Sequence, residues 1–246
     1  MKGVILAGGK GTRLYPWTKK VNKHLLFLGN EPMIFNPIKQ LISSGIQDIL
    51  IVTNRNHLDS MVEILTNENN FSCNFTFKIQ ENPKGIGDAL LLAEDFAKGN
   101  PITVILGDNI TSHSIKKYVQ NFKLQGTGSK ILIKRVPDPY RFGVATLRNN
   151  RIVKIEEKPS NPKSNYAVTG IYMYDNQLFD ILKSLSPSPR GELEITSVNN
   201  FYLNRNQLTY DILHGEWADA GTFSSYGFAN RLLLSINNKI LDGDKL

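Results

Sequence analysis

The chain has 246 residues, of which 41% are hydrophobic and 21% charged, enough for one α/β domain or two small ones with a sizeable core. No apolar run approaches a membrane span, and the N-terminus, one Lys followed by glycines, lacks the apolar stretch of a signal peptide. A formal net charge of +7 calls for an anionic partner, and basic residues spread along the chain without interleaved aromatics favour a polyphosphate-bearing small molecule over nucleic acid.

Residues 2–6 read as a buried strand that runs into Ala7-Gly8-Gly9-Lys10-Gly11-Thr12-Arg13. A loop with few side chains lets backbone N–H groups approach an anion, and Lys10 and Arg13 add positive charge. It is not a Walker A loop, because Gly9 stands where the Lys belongs. It is not a dinucleotide fingerprint either, because Leu14 stands where the third Gly belongs. A purely structural turn is the competing reading; three glycines with two cations weigh against it. Lys23 lies just beyond, either to neutralise phosphates or only to solvate a surface.

A helix follows over 31–44, then a strand at 48–53, a helix over 57–66, a strand at 75–79, a helix over 86–98, a strand at 103–106 and a helix over 113–124. This alternation predicts a largely parallel sheet in three layers, with ligands beyond the carboxyl ends of the strands. Gly8-Gly9, Gly85 and Asp108 stand at such ends. The second half is more mixed: strands at 130–136, 144–147, 151–156 and 167–174, and helices over 176–185, 191–204 and 223–238. No linker or repeat divides the chain, so residues 1–246 read as one domain with a nucleotide half (about 1–125) and an acceptor half (about 126–246).

The strand that ends in Leu106-Gly107-Asp108-Asn109 offers either a metal-binding carboxylate or an ordinary cap. Asp219, in Glu216-Trp217-Ala218-Asp219-Ala220-Gly221-Thr222, is a candidate partner with the same two readings. Glu157 and Lys158 sit at a strand tip before Pro159, and strand alternation sends one to the cleft and the other to solvent unless the strand twists. The four His residues lack zinc-like spacing, and no Ser-His-Asp or Cys-His arrangement is visible. Lone Cys73 cannot form an intrachain disulfide, which points to the cytoplasm.

Six segments occur in the order of one known family: residues 2–16, 106–109, 156–159, 163–172, 189–196 and 219–222. Together they resemble the sugar-phosphate nucleotidyltransferases, and within them the short form of the glucose-1-phosphate thymidylyltransferase family, from Met1 to about Ser225. The resemblance implies a three-layer, Rossmann-like nucleotidyltransferase fold with a mixed, mainly parallel central sheet. It implies Mg²⁺-dependent transfer of a nucleotidyl group from dTTP (or UTP) to glucose 1-phosphate, with release of pyrophosphate. Leu6, Ala7, Gly8, Gly9, Gly11, Thr12, Gln80, Pro83, Gly85 and Asp88 would receive the nucleotide. Arg13 and Lys23 would hold the triphosphate, Lys158 the sugar phosphate, and these three form the catalytic set. Asp108 and Asp219 would hold the metal; Asn109, Gly143, Glu157, Val168, Thr169, Tyr172 and Glu192 would shape the sugar site.

By the same resemblance the protein is a homodimer or homotetramer that binds neither nucleic acid nor membrane. The chain departs from the family at Phe27 (usually Pro), Asp88 (usually Gln), Phe142 (usually Tyr) and Ser197 (often Asp). Asp88 is expected to accept from the N3–H of thymine or uracil, or from guanine N–H groups. The chain ends at Leu246, short of the segment that the longer form associates with a regulatory nucleotide site. Other readings are uridylyl transfer, another hexose 1-phosphate, or a non-catalytic nucleotide-sugar sensor; the presence of Asp108, Asp219, Lys23 and Lys158 disfavours the sensor.

Overall fold

A computed structural model describes residues 1–66 and 71–241; the chain end at Leu246 lies outside them. In chain order, β1 (Lys2–Leu6) leads to a hairpin of β2 (Phe27–Leu28) and β3 (Glu31–Pro32), then α1 (Phe35–Ser43), β4 (Asp48–Thr53) and α2 (Leu58–Thr66). Next come β5 (Asn74–Ile79), α3 (Ile86–Leu91), α4 (Glu94–Ala97), β6 (Ile102–Leu106), β7 (Asn109–Thr111) and α5 (Lys116–Gln125). The second half holds β8 (Ser129–Arg135), β9 (Gly143–Arg148), β10 (Arg151–Glu157), β11 (Tyr166–Tyr174), α6 (Leu178–Ser184) and α7 (Ile195–Asn204). It closes with β12 (Leu208–Ile212), β13 (Trp217–Asp219) and α8 (Phe223–Leu241).

Among the described residues, nine strands form one sheet whose main path runs β10-β9-β11-β6-β1-β4-β5, with β8 joined to β11 and β12. The β6-β1-β4-β5 portion is parallel throughout. β11 enters antiparallel to β6, β8 and β9 and so joins the two halves of the sheet. Apolar residues run continuously through β1, β4 and β6 because helices cover both faces. Val4 and Leu6 point into one core with Leu50, Val52 and Val104; Ile5 points into the other with Ile49, Ile51 and Ile105. That alternation is the three-layer arrangement. A third, smaller core (Leu28, Met33, Ile110, Ala218, Ala220, Ala229, Leu232, Leu233) packs α8 onto the short β7–β13 ribbon. Among the described residues no helix is long and apolar enough to cross a membrane.

Three helices differ from expectation. The first starts at Phe35 rather than 31, because Phe27–Leu28 pairs with Glu31–Pro32. The span 86–98 is two short helices, with Lys98 in the left-handed conformation at the end of the second. The span 191–204 is helical only from Ile195. Its first residues are extended because the Leu193 N–H donates to the Lys84 carbonyl (2.8 Å) while the Leu193 carbonyl accepts from the Gly87 N–H (2.9 Å). This strap crosses the segment that follows β5. It needs glycine beneath it: a Cβ on Gly85, at φ +100°, would lie 2.8 Å from the Leu193 carbonyl oxygen.

Candidate active site

The site gathers at the carboxyl ends of β1, β5 and β6, where a parallel sheet leaves its crevice. The glycine loop after β1 is tied down at both ends. The Asn22 side chain donates to the Ala7 carbonyl (3.1 Å), and the Thr18 hydroxyl donates to the Gly11 carbonyl (2.7 Å). Gly11, at φ +64°, packs so closely on Lys23 and Thr18 that a Cβ would lie 3.2 Å from each. Lys23 and His24 start a tight turn whose first N–H groups are capped by Asn22, which accepts from the His24 backbone at 2.9 Å. His24 is buried, and that burial, with the Lys23 charge second, pushes its pKa down to about 3, so the ring is neutral.

Lys23 forms an ion pair with Asp108, and both side chains are about nine-tenths buried (11% and 10% exposed). Burial alone would raise the Asp108 carboxyl. The Lys23 ammonium and hydrogen bonds from Lys23 and Asn109 outweigh it and hold the group well below the usual carboxylate range. Asp219 reaches the same place through the β7–β13 ribbon, where it lies opposite Asn109 and the Ala220 N–H donates to the Asp108 carbonyl (2.9 Å). Its pKa is raised, first by burial and then by the Asp108 charge, against the pull of Lys23, Arg13 and Arg141. The Arg13 guanidinium lies so near Gly221 that a Cβ there would meet it at 2.8 Å.

Two lobes open from this point, and they share Arg13, Ile86, Leu106, Asp108, Glu157 and Lys158. The first, of about 350 Å³, is lined also by Leu6, Gly8, Gly9, Lys23, Gln80, Pro83, Gly85, Arg190, Glu192 and Glu194. The second, of about 210 Å³, is lined also by Asn109, Arg141, Phe142, Gly143, Val168, Gly170, Tyr172, Thr196, Trp217 and Asp219. The larger suits a nucleotide and the smaller a single sugar ring.

Glu157 and Lys158 both face the cleft. Lys158 leaves β10 in the left-handed conformation (φ +41°), which turns its side chain back to the side that Glu157 occupies. Simple alternation fails there for that reason. Glu157 accepts from the Thr196 hydroxyl at 2.5 Å and lies 3.5 Å from the Arg190 guanidinium and 3.8 Å from the Lys158 ammonium. Asn109 braces the sugar lobe. Its Oδ1 accepts from the Gly170 N–H (2.9 Å) and the Trp217 indole (2.8 Å), and its amide donates to Asp108 (3.1 Å). Tyr172 is buried, which with the Glu157 charge pushes its phenol up, so it remains a protonated donor in the lobe.

Several expected contacts are corrected. Thr169 does not face the cleft: alternation along β11 turns it to the other face, where its hydroxyl donates to the Leu132 carbonyl (2.9 Å). Glu192 lies in the nucleotide lobe, 3.6 Å from Arg190, because the strap carries it there. Ala7 is sealed beneath the loop, while Gly11 and Thr12 sit behind the lining as the joint into the next turn. The Asp88 carboxylate does not line the lobe; it accepts from the Gln80 amide at 2.7 Å. Arg141, Gly170, Arg190, Glu194, Thr196 and Trp217 were not singled out from sequence. Arg190, Glu194 and Thr196 lie in an anchor segment already visible there, and Trp217 lies two residues before Asp219.

Among the described residues no cluster of three or more His, Cys, Asp or Glu side chains could enclose a metal. A buried Asp108 carboxylate with the half-buried Asp219 beside it fits a hard divalent cation of the Mg²⁺ kind, which takes one or two carboxylates together with phosphate oxygens and water. Zinc, with its nitrogen and sulfur ligands, does not fit.

The nucleotidyl transferase family model matches residues 2–235. The chain belongs to the nucleotidyl transferase family. This nucleotidyltransferase is 39% identical over 242 residues to the glucose-1-phosphate thymidylyltransferase of Neisseria meningitidis serogroup A, which covers 97% of this chain and 84% of that one. It is 40% identical over 228 residues to the enzyme of the same name from Xanthomonas campestris pv. campestris, which covers 91% and 77%. Among solved structures it superposes at TM-score 0.91 and 51% identity, over 94% of each chain, on a Bacillus anthracis protein described as a glucose-1-phosphate thymidylyltransferase and solved with a sucrose. A UDP-glucose pyrophosphorylase complexed with UDP-glucose superposes at TM-score 0.83 and 26% identity, over 95% and 98% of the two chains.

Proposed function

We propose that this nucleotidyltransferase moves a thymidylyl group from dTTP to glucose 1-phosphate, giving dTDP-glucose and pyrophosphate. The observation that carries the reading is the junction of the two lobes at Arg13, Asp108, Glu157 and Lys158. Asp108 and the cations Arg13 and Lys158 line both lobes, and Asp219 adjoins Asp108 from the smaller one, where a donor phosphate and an acceptor phosphate would meet. The names of the relatives supply the donor and the acceptor.

The residues account for the chemistry. A sugar phosphate is already an anionic nucleophile, so no strong base is required, and the neutral, buried His24 is not asked to be one. An oxygen of the sugar phosphate attacks the α-phosphorus of dTTP, and the bond from that phosphorus to the bridging oxygen of pyrophosphate breaks. Lys158 holds the sugar phosphate. Arg13 and Lys23 neutralise the triphosphate and the departing pyrophosphate. Glu157, held by Thr196 and Arg190, accepts from sugar hydroxyls, and Tyr172 donates to them. Two lobes that open on one junction would bring the reacting groups together, which supplies a large part of the entropic advantage. Asp108 and Asp219 would hold Mg²⁺, which lowers the repulsion between two anions and stabilises charge at phosphorus.

Uridylyl transfer is the second reading, because the UDP-glucose pyrophosphorylase neighbour shares the fold and thymine shares its pairing edge with uracil. Pyrophosphate release across a grid of dTTP, UTP, GTP and CTP with several hexose 1-phosphates separates these. The proposal expects dTTP with glucose 1-phosphate to be fastest. Clear preference for GTP or CTP would overturn it. The cytoplasm suits Cys73, a free thiol whose pKa burial pushes up to about 11. A homodimer or homotetramer completes the proposal, and sedimentation of only monomer at micromolar concentration would contradict that part.

A further inference from the structure

The lining of the nucleotide lobe divides into two chemistries. Arg13, Lys23, Lys158 and Arg190 offer charge to phosphates. Gln80, placed immediately after β5, lines the lobe with the small uncharged residues Gly8, Pro83, Gly85 and Ala89, with Glu192 beside Gly85. An amide set among small uncharged residues suits a nucleobase.

The state of that amide is fixed. Gln80 is 7% exposed. Its Nε2 donates to Asp88 Oδ2 at 2.7 Å and, at 3.4 Å, to the Gly85 carbonyl. A carboxylate only accepts, so the nitrogen end of the amide must face Asp88, whichever way an unconstrained amide would turn. Among the described residues Oε1 accepts from nothing, and it is not a sealed orphan. It lies 3.0 Å from where a Cβ on Gly8 would stand, so the glycine keeps that approach open.

A freely flipping amide can serve either pyrimidine: its oxygen takes the N3–H of thymine, or its nitrogen donates to the bare N3 of cytosine. We infer that Asp88 is a specificity-setting, positioning residue, which locks the Gln80 amide so that the lobe offers an acceptor to a base carrying a ring N–H, as thymine and uracil do, and turns away cytosine. Flipping Gln80 to suit cytosine would set its oxygen against the Asp88 carboxylate, two acceptors in contact. Asp88 thus acts on the base through Gln80 and not by touching it. The chain's departure from the family's usual Gln at this position has a consequence: a Gln there could flip with its partner, whereas a carboxylate cannot. This inference deepens the thymidylyl-transfer reading above and rests on it.

The test compares wild type with Asp88→Asn, whose amide can turn either way. Two readouts are taken: kcat/KM for dTTP and dCTP with glucose 1-phosphate, and calorimetric Kd for dTMP and dCMP without any sugar. Wild type should prefer the thymine nucleotide by about 10²-fold or more, and Asp88→Asn should lower that ratio at least about tenfold, carried by KM rather than kcat. A merely structural role would weaken both nucleotides together and leave the ratio unchanged. A ratio within about twofold of wild type in Asp88→Asn overturns the inference, as does a wild type that binds thymine and cytosine nucleotides alike. Should the variant fail to fold, wild type suffices: N3-methyl-dTMP should bind at least about tenfold more weakly than dTMP, and equal binding overturns the inference. If wild type selects dTMP but makes no dTDP-glucose, the transfer reading fails while the binding ratio still decides the role of Asp88.

Discussion

The nucleotide lobe is floored by backbone at the carboxyl ends of β1, β5 and β6, whereas the sugar lobe is walled by side chains that hold one another. In the first, Gly8 and Gly85 lie in the lining, and fixed carbonyls take hydrogen bonds from Asn22, Thr18 and Gln80. In the second, Thr196 grips Glu157, while Asn109 grips Trp217, Gly170 and Asp108. A phosphate chain is recognised by many N–H groups that converge on it, which only close backbone can supply. A sugar ring is recognised by separate hydroxyls, which needs individually aimed side chains. The two lobes should therefore fail in different ways when altered.

The largest effect should come from Asp108, which both lobes share, and from Asp219 beside it in the smaller lobe. Asp108→Asn and Asp219→Asn keep shape and remove one charge each. Each should lower kcat/KM by about 10²-fold or more, roughly 3 kcal/mol of transition-state stabilisation, while thermal melting shows a folded protein. Near-normal activity of either variant with Mg²⁺ present would remove that residue from the metal site.

Gly85→Ala should damage the nucleotide lobe alone. Its backbone lies at φ +100° and the new Cβ would meet the Leu193 carbonyl at 2.8 Å, so the strap must lift. Strain of about 1–2 kcal/mol should appear as a KM for dTTP raised about tenfold with the KM for glucose 1-phosphate unchanged. Thr196→Val should do the converse. It removes the hydroxyl that aims Glu157 and should raise the KM for glucose 1-phosphate about fivefold, with that for dTTP held. If both variants shifted both KM values together, the two-lobe division would be wrong.

The smallest effect sharpens the picture beneath the nucleotide lobe. His24 titrates near 3 in the folded protein against an unfolded value of about 6.5, so unfolding takes up a proton between those values. Its contribution is fully present above about pH 6.5 and is lost as pH falls below it, roughly 1.4 kcal/mol by pH 5.5. The half-buried His57 imidazole, whose pKa burial also lowers, acts in the same direction. Urea midpoints at pH 7.5 and 5.5 measure the loss; equal midpoints would mean that His24 is not buried neutral.

What could be read from sequence follows the same division. The glycine loop and Leu106-Gly107-Asp108 were legible because a backbone site is written as contiguous residues at strand ends. The parallel half of the sheet was legible because its strands are long enough to show a period. β7 and β13 are three residues each, too short for any period, so the pairing that brings Asp219 to Asp108 could be anticipated only through the family resemblance. That Glu157 and Lys158 share one side is not written in simple alternation, because Lys158, a non-glycine residue, adopts a left-handed turn at the strand end. Thr169 faces away from the cleft because alternation along β11 puts Val168, Gly170 and Tyr172 on one face and Thr169 on the other. The segment of Arg190 and Glu194 is visible in the sequence, but their place in the nucleotide lobe depends on hydrogen bonds between Leu193 and the distant Lys84 and Gly87, which no local pattern records.

The central claim is that one ion, held between Asp108 and Asp219, serves both lobes, and a double-mutant cycle on kcat/KM tests it most directly. If the two carboxylates share the ion, the first substitution already empties the site, and Asp108→Asn with Asp219→Asn should lose far less than the product of the two single losses. Fully multiplicative losses would contradict it and mean that the two residues act on different parts of the reaction.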